Sequence, residues 1–292
     1  MFARAYDLVS NFTQPLIVTT RLHNGTVKCG IGTFVIVNSE GWVVTAAHAV
    51  NVLPLAQQHA AEIAALAEAR AALEHDLAKT AKQKRRELAR LEANPEWITK
   101  SSLWWARDGL RIREFRVNEQ ADIAVGRLEG FDPASCPNFP VFKNPRSLPV
   151  GTSLCKLGFP FYEAAASYDD ATGNFTLAPG TLPVPRFPIE GIYTRNFIAY
   201  RSPDGQRDTR FMETSSPGLR GQSGGPVFDV NGVVWGIQSH TRHFPLGFSP
   251  TVKVGGKDVE EHQFLNVGLA AHPASLIALF DESGIRYQLS EA

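Results

Sequence analysis

Gly218-Leu-Arg-Gly-Gln-Ser223-Gly-Gly-Pro-Val-Phe228 is the stretch from which the fold of this 292-residue chain is predicted. Ser223 lies at its centre, among glycines that allow backbone conformations a β-carbon would resist. A serine hydroxyl becomes an effective nucleophile only where a base takes its proton and a third group orients that base. The stretch alone also fits a tight turn between two strands. The prediction of a nucleophile at Ser223 therefore depends on the rest of the chain.

Two further motifs supply a histidine and an aspartate next to predicted strands. Short β-rich runs separated by turn signals fill residues 15–50, and the last of them leads directly into His48. Asp122 immediately precedes the apolar strand Ile-Ala-Val and follows an alternating strand predicted at residues 110–117. Each residue taken singly is equally well explained as an ordinary core, surface or turn residue. Together they provide the base and the orienting acid that Ser223 requires.

The three motifs carry a family resemblance. Thr45-Ala-Ala-His48, Ala121-Asp122-Ile-Ala-Val125 and Gly221-Gln-Ser223-Gly-Gly-Pro226 occur in an order that resembles the chymotrypsin/trypsin-like serine protease superfamily, in particular its compact bacterial members. The resemblance implies a mainly β fold with two six-stranded antiparallel β-barrels, a long α-helical insertion and a C-terminal helix. The bounds expected within this single peptidase domain, residues 1–292, are about 12–130 and 140–270 for the barrels, 53–95 for the insertion and 273–283 for the helix.

The resemblance also implies roles for individual residues. His48 would act as general base, Asp122 would orient its imidazole, and Ser223 would attack the peptide carbonyl. The backbone N–H groups of Gly221 and Ser223 would form the oxyanion hole. This chemistry requires no metal and no organic cofactor. The three cysteines contain no Cys-x-x-Cys pair, so no zinc site is expected from them.

The wall and base of a substrate side-chain pocket are expected from the same resemblance. The expected substrate-binding residues are Pro217, Gly218, Gln238, Ser239, His240 and Thr241. Because no carboxylate stands at the expected base, we predict poor cleavage after Lys or Arg. A preference for acidic residues, selected by His240 or Arg220, and a preference for small or apolar residues both stay open.

Two departures from the superfamily bear on activation and on disulfide pairing. Gln222, not aspartate, precedes the serine, and the chain contains no Arg-Ile-Val-Gly-Gly cleavage site, so activation by N-terminal cleavage is not expected. Secreted animal members pair a cysteine at the position of Cys29 with one beside the histidine. Ala49 occupies that second position, so this disulfide is excluded.

Residues 53–95 differ in composition from the remainder of the chain. Strong helix formers dominate, Asn51 is the predicted N-cap, and Asn94-Pro95 ends the segment. The apolar stripe is coiled-coil-like but interrupted. A continuous helix of this length would reach roughly 60 Å, so we expect it to project or to fold back after a break near residues 79–86. A role in binding a regulatory partner or in self-association, and simple packing along the body, stand equally open.

Charge and composition limit the other partners. The chain has 29 basic and 29 acidic residues, which removes any general electrostatic reason to expect nucleic acid or an anionic membrane. No secretory signal and no membrane-spanning apolar run are recognised, so a reducing cytoplasm is the expected location. Residues 164–188 are predicted to form long loops. A protein or peptide substrate is the partner that the motifs imply.

The main functional hypothesis is a serine endopeptidase with a narrow protein target, controlled through the helical insertion. Its rival is a catalytically silent protease-fold scaffold that recruits a partner through the helix. An esterase or acyltransferase would share the nucleophile but does not share this order of motifs. Retention of all three residues favours the enzyme, because a chain freed from catalysis has no physical need for them.

Overall fold

The computed structural model describes residues 1–105, 112–201 and 208–291, and it consists mainly of β-strands. The predicted strand residues 110 and 111 lie outside the described part. The elements of the first half are α1 (Ala3–Ser10), β1 (Thr13–Leu22), β2 (Val27–Ile36), β3 (Trp42–Ala46), α2 (Ala47–Val50), α3 (Val52–His75), α4 (Ala81–Leu88), β4 (Ile98–Trp105), β5 (Ile112–Asn118) and β6 (Ile123–Leu128).

The first sheet has the strand order β4-β1-β2-β3-β6-β5, and its pairs are antiparallel. All five residues of β3 are buried, as expected for a central strand rich in β-branched and aromatic residues. Ala46 pairs with Ile123, so the end of β3 lies beside the start of β6. This register brings the segments that follow Ala46 and precede Ile123 to one edge of the sheet.

The second half contains the remaining strands and the terminal helix. Its elements are β7 (Val141–Phe142), β8 (Ser153–Gly158), β9 (Ala166–Asp169), β10 (Asn174–Leu177), β11 (Phe187–Arg201), β12 (Asp208–Thr214), β13 (Pro226–Phe228), β14 (Val234–Pro245), β15 (Thr251–Val254), β16 (Lys257–Glu260), β17 (Phe264–Ala271), α5 (Pro273–Ser283) and β18 (Gln288–Leu289).

The second sheet has the order β13-β8-β11-β12-β17-β14-β7-β18, and β13 also pairs with β14. That additional pairing joins the two ends of a series of six strands. The prediction of long loops at residues 164–188 is wrong where β9 and β10 form a hairpin. Phe175 is buried in this hairpin and contacts Tyr168 edge to face, which stabilises the pair.

One hydrophobic cluster connects the two sheets and the terminal helix. Phe34 of β2, Phe142 of β7 and Phe280 of α5 all belong to it and are fully buried. Gly284 ends α5 in the left-handed conformation (φ 68°), where glycine carries no β-carbon penalty. The segment that carries Ser223 connects β12 to β13 and therefore lies on a scaffold packed from both halves.

The helical insertion folds back on itself. The helix α3 ends at His75, and Thr80 begins α4 with a capping box to Gln83. The break at residues 76–80 begins before the predicted range of 79–86 and overlaps it, and Thr80, which lies in both ranges, is the N-cap of α4. Asn51 is the N-cap residue of α3, as predicted, but its side chain makes no capping hydrogen bond.

The apolar stripe of the insertion is used within the hairpin. Neither helix contains a fully buried residue, and Ile63, Leu66 and Leu88 are half-buried. A coiled coil is not shown. After the hairpin the chain returns as β4, which pairs with β1. No helix in the described part of the chain is long and apolar enough to cross a membrane.

Candidate active site

His48 and Asp122 meet at the sheet edge that the β3–β6 register creates. The Nδ1 atom of His48 lies 2.8 Å from Oδ2 of Asp122, and the backbone N–H of His48 donates to Oδ1 at 3.0 Å. Asp122 has the left-handed φ of 50°, which is uncommon for a residue with a β-carbon. The backbone N–H of Ala47 donates to the carbonyl oxygen of Asp122. The aspartate is therefore held by the backbone as well as by its side chain.

The environment shifts the pKa values of His48 and Asp122 in opposite directions. The hydrogen bond with Asp122 raises the pKa of His48 despite partial burial, which lowers it. Burial raises the pKa of Asp122, but hydrogen bonds from His48 and Ser239 together outweigh that effect, and its pKa is lowered. Asp122 is almost fully buried, whereas the His48 side chain is 41% exposed. The pair thus combines a buried carboxylate with an imidazole that is open to solvent.

The loop that carries Ser223 is tied to the first sheet by Thr33 of β2. The Thr33 hydroxyl donates to the carbonyl oxygen of Gly221 at 2.7 Å, and its backbone N–H donates to that of Ser223 at 2.8 Å. Gly221 and Gly224 have φ values of 99° and 88°. A β-carbon on Gly224 would collide with the carbonyl oxygen of Thr33. Glycine is therefore required there both by conformation and by the close approach of β2.

Two backbone donors of this loop are left available. Within the described residues, the N–H groups of Gly221 and Ser223 donate no hydrogen bond, while the carbonyls of both residues are held by Thr33. Both are buried or half-buried, and a buried N–H without a partner is uncommon. These are the two donors that the sequence predicts for the oxyanion hole.

The Ser223 hydroxyl forms its hydrogen bond away from His48 in the described structure. It donates to the carbonyl oxygen of Ser239 at 3.4 Å, and no hydrogen bond joins it to the imidazole in the described structure. The residues are nevertheless close in the fold: a β-carbon on Gly32 would lie 3.5 Å from the Ser223 carbonyl oxygen and 3.6 Å from the β-carbon of Ala49. Hydrogen bonds of catalytic groups are often long or poorly aligned before substrate binds.

Ser239 and His240, predicted as pocket residues, contact Asp122. The Ser239 hydroxyl is in short contact with both Oδ2 of Asp122 and Nδ1 of His240. The same Nδ1 of His240 lies 3.6 Å from Oδ2 of Asp122. The carboxylate therefore lies between two histidines. Sequence analysis missed this arrangement, because nothing local connects residues that are more than a hundred positions apart.

The other predicted pocket residues close the space between their two segments. The Thr241 hydroxyl donates to the carbonyl oxygen of Gly218 at 2.6 Å. Gln238 is buried, donates through Nε2 to the His240 and Leu269 carbonyls, and occupies the place where a β-carbon on Gly218 would project. In the described part of the chain, its Oε1 is buried without a partner. The Thr241–Gly218 hydrogen bond therefore crosses the predicted substrate side-chain pocket, and the Gln238 side chain fills part of it.

Lys156 contacts the segment at the base of this pocket, and its burial there was not predicted. It is almost fully buried in β8, and its ammonium group donates to Pro217 and to both oxygens of Ser216. A β-carbon on Gly268 would come within 2.6 Å of the ammonium nitrogen. Burial lowers the pKa of Lys156 to about 7. A lysine within a strand pattern gives no sequence signal for burial, since lysine is usually exposed.

A separate cavity of about 740 Å³ opens on the other side of the nucleophile loop. Phe159, Phe161 and Tyr162 contribute aromatic walls, and Leu219 to Gly221 form the rim nearest Ser223. The cavity is large enough for several side chains of a peptide. The sequence pointed to Arg220 and Gly221 but gave no sign of the aromatic walls.

Comparison with known proteins agrees with the geometry. Residues 32–237, more than half of the chain, match the family described as trypsin-like peptidase domain. The chain belongs to this family. Among solved structures, an HtrA-type protease, AlgW, determined with a tripeptide, is similar with a TM-score of 0.52 and 14% sequence identity. The similarity covers 98% of this trypsin-like peptidase chain and 64% of that chain, and at this identity it shows the fold alone.

No curated protein sequence matches the chain significantly. Membership of the trypsin-like peptidase family agrees with the family that the order of the three motifs predicted. The family match includes the segments that carry His48, Asp122 and Ser223. Both the resemblance seen in the sequence and the mainly β fold are therefore confirmed.

Proposed function

We propose that this chain is a serine endopeptidase in which Ser223, His48 and Asp122 form the catalytic triad. The observation that carries the proposal is the 2.8 Å hydrogen bond between His48 and a buried Asp122, next to a loop whose Gly221 and Ser223 N–H groups have no partner among the described residues. This arrangement matches the geometric roles of a base, an orienting acid and an oxyanion hole.

The reaction follows from these positions. Asp122 fixes the proton on Nδ1 of His48, which leaves Nε2 as the acceptor for the Ser223 proton. The serine oxygen attacks the peptide carbonyl, and the developing oxyanion accepts hydrogen bonds from Gly221 and Ser223. His48 then gives its proton to the leaving amine, and water hydrolyses the acyl-enzyme by the same steps. Before the attack, the Ser223 hydroxyl must rotate away from the Ser239 carbonyl oxygen, to which it donates a hydrogen bond.

The expected pocket supports poor cleavage after Lys and Arg. The ionisable group beside Pro217 is the Lys156 side chain, which never carries a negative charge, and the described residues that accept its hydrogen bonds contribute neutral oxygens and no carboxylate. A basic substrate side chain would therefore find no negatively charged partner there. Both a small or apolar preference and an acidic preference remain consistent with this arrangement. The aromatic cavity beside Gly221 would receive residues on the leaving-group side.

The finer features of the fold belong to the same proposal. The β13–β14 pairing supports a closed six-stranded barrel in the second half, and the six-stranded first sheet supports its counterpart, with the domain bounds predicted above. The three free thiols, Cys29, Cys136 and Cys155, fit the proposed reducing cytoplasm. Control through the hairpin has a physical route, because α3 begins two residues after the short helix α2 that carries His48.

A scaffold without activity is the second candidate, and one observation favours it. The Ser223 hydroxyl is directed to the Ser239 carbonyl, and the Thr241–Gly218 hydrogen bond closes the predicted substrate side-chain pocket. A chain that never opens this pocket would bind a partner without cleaving it. The two candidates differ in the reactivity of Ser223, which is measurable without knowledge of the substrate.

Labelling with a fluorophosphonate probe tests the proposal. We expect the full-length chain to be labelled and both Ser223→Ala and His48→Ala to lose labelling. Ser249→Ala is the matched control, because Ser249 contacts His262 at 2.9 Å in an exposed serine–histidine pair but lies outside the candidate site. Absence of labelling in folded wild-type protein, with and without cell extract as a source of partners, would favour the scaffold.

A further inference from the structure

We propose that His48, Asp122 and His240 form a zinc site through which Zn²⁺ switches off the candidate catalytic site. One ligand atom from each residue lies within 4.8 Å of the other two. Nδ1 of His48 is 2.8 Å and Nδ1 of His240 is 3.6 Å from Oδ2 of Asp122. Tetrahedral zinc with bonds of 2.0–2.2 Å separates its ligand atoms by about 3.3 Å. Small side-chain movements therefore suffice to place an ion among these three atoms.

The donor set selects the ion. Two imidazole nitrogens and one carboxylate oxygen are ligands that zinc prefers, whereas Mg²⁺ and Ca²⁺ prefer oxygen alone. Three protein ligands leave a fourth position for water or another small ligand. The His48 and His240 side chains are both exposed at the surface, so an ion has direct access. These three residues are far apart in the sequence, so no ligand spacing in the chain indicated this group.

The surroundings orient two of the three ligands. Oδ1 of Asp122 accepts the backbone N–H of His48, so Oδ2 faces the histidine rings. The His240 ring contacts Phe211 edge to face, with centroids 6.0 Å apart, and is tilted toward the His48 ring at 5.7 Å. Partners outside the coordination sphere that fix ring orientation increase the affinity of metal sites. The Ser239 hydroxyl, now between Asp122 and His240, would turn aside when the ion enters.

Zinc at this position would block catalysis for a structural reason. The ion takes the position of the proton on Nδ1 of His48, and the neutral imidazole then carries its single proton on Nε2. With Nε2 protonated and Nδ1 bound to zinc, the imidazole has no nitrogen left to accept the Ser223 proton. Binding of zinc does not depend on the proposed function, whereas inhibition does. The experiment therefore has one part for each.

The binding part uses the full-length Ser223→Ala chain and isothermal titration with Zn²⁺. We expect one equivalent to bind, and we expect His240→Ala and His240→Gln each to lower the affinity at least about tenfold. His243→Ala, on the same strand and outside the cluster, is the matched control and should bind as its parent does. Mg²⁺ should give no signal. Unchanged affinity in both His240 variants, with native circular dichroism, would overturn the zinc site.

The inhibition part uses the chain with Ser223 intact and compares probe labelling with and without Zn²⁺ within each variant. Zinc should lower the labelling rate at least about tenfold, and a chelator should restore it. This ratio should approach one in His240→Gln and remain unchanged in His243→Ala. Labelling that is insensitive to bound zinc would refute the switch. A chain that binds zinc but is never labelled would retain the site and lose the proposed function instead.

Discussion

Asp122 is the residue on which the candidate site converges. Its carboxylate contacts the His48 imidazole and the Ser239 hydroxyl and accepts the His48 backbone N–H. Nδ1 of His240 lies 3.6 Å from its Oδ2 atom. A carboxylate with several donors keeps its charge even when buried, because hydrogen bonds and nearby positive charge outweigh desolvation. The second histidine, His240, distinguishes this arrangement from a pair that contains only a base and its orienting carboxylate.

Lys156 should make stability depend on pH. Its pKa is lowered from 10.5 to about 7 by burial, so the folded state disfavours the charged form. Its stabilising contribution is therefore complete above pH 10.5 and is lost as pH falls toward 7. Lys156→Met removes this titration, so the variant should gain stability relative to wild type as pH falls from 10 to 7. At about 1.4 kcal/mol per pKa unit, the gain is bounded at about 5 kcal/mol.

Urea unfolding of both proteins at several pH values measures this difference. The hydrogen bonds from the ammonium to Ser216 and Pro217 are lost at every pH, so only the change with pH is diagnostic. Lys253→Met, on the exposed strand β15, is the matched control and should run parallel to wild type. Parallel curves for Lys156→Met as well would mean that the lysine is not buried as described.

At the scale of elements, strand register decides which residues meet. β3 and β6 are adjacent and antiparallel, so the chain leaving Ala46 and the chain entering Ile123 reach the same edge. The short helix α2 then turns His48 back over that edge. A shift of one residue in this pairing would direct alternate side chains to the opposite face and separate His48 from Asp122.

The helix α5 should be sensitive to acid through its N-cap. His272 is buried, and its Nδ1 accepts the backbone N–H of Ala274; burial, together with the Arg210 charge, lowers the pKa of His272 to about 4. Because the unfolded value is near 6.5, the stabilisation is present above pH 6.5 and is lost as pH falls through 4. His272→Asn keeps a capping oxygen without this titration. Its stability relative to wild type should therefore rise by up to about 3 kcal/mol between pH 7 and 4.

Chemical denaturation at pH 7, 5.5 and 4.5 checks this expectation. Carboxylates titrate in the same range in both proteins, so the diagnostic quantity is the difference between variant and wild type. His243→Asn makes the same chemical change on an exposed part of β14 and should show no such difference. A His272→Asn variant that loses stability with acid as wild type does would show that the cap histidine is not the cause.

At the scale of the molecule, the helical hairpin is separable from the body. Neither of its helices has a fully buried residue, and its ion pairs, formed by Lys79 with Glu87 and with Asp76, are internal. The body nevertheless forms hydrogen bonds with both ends of the insertion. His59 accepts the backbone N–H of Ile98, and Pro95 accepts that of Asn24. The separable part is therefore narrower than the predicted 53–95.

Replacement of residues 63–92 by a short Gly-Ser linker should leave the body folded. These residues contribute no buried side chain to the core, so the melting temperature should change by less than about 2 °C, which corresponds to roughly 1 kcal/mol for a chain of this size. Thermal unfolding followed by circular dichroism measures this. Replacement of residues 53–95 is the informative comparison, because it also removes Leu53, which packs on the core, and should cost more. Equal loss of stability in both variants would contradict the separation.

The candidate site lies where the two sheets meet. Thr33 from the first sheet holds the carbonyls of the nucleophile loop, and Lys156 from the second holds the segment before that loop. The core connects both sheets with α5. Positioning of Ser223 therefore depends on the packing of the whole body, and a change that separates the sheets should affect the site before it unfolds either sheet.

The sequence by itself determined the family, the mainly β fold, the nucleophile loop and the pairing of a histidine with an aspartate. These depend on local patterns: glycine positions, strand alternation, and polar residues at strand ends. The tertiary structure alone decided that Ser239 and His240 contact Asp122 and that Lys156 is buried beneath Ser216. The physical reason is distance along the chain. Ser239 lies 117 positions from Asp122, and only the packing of two sheets brings such residues together.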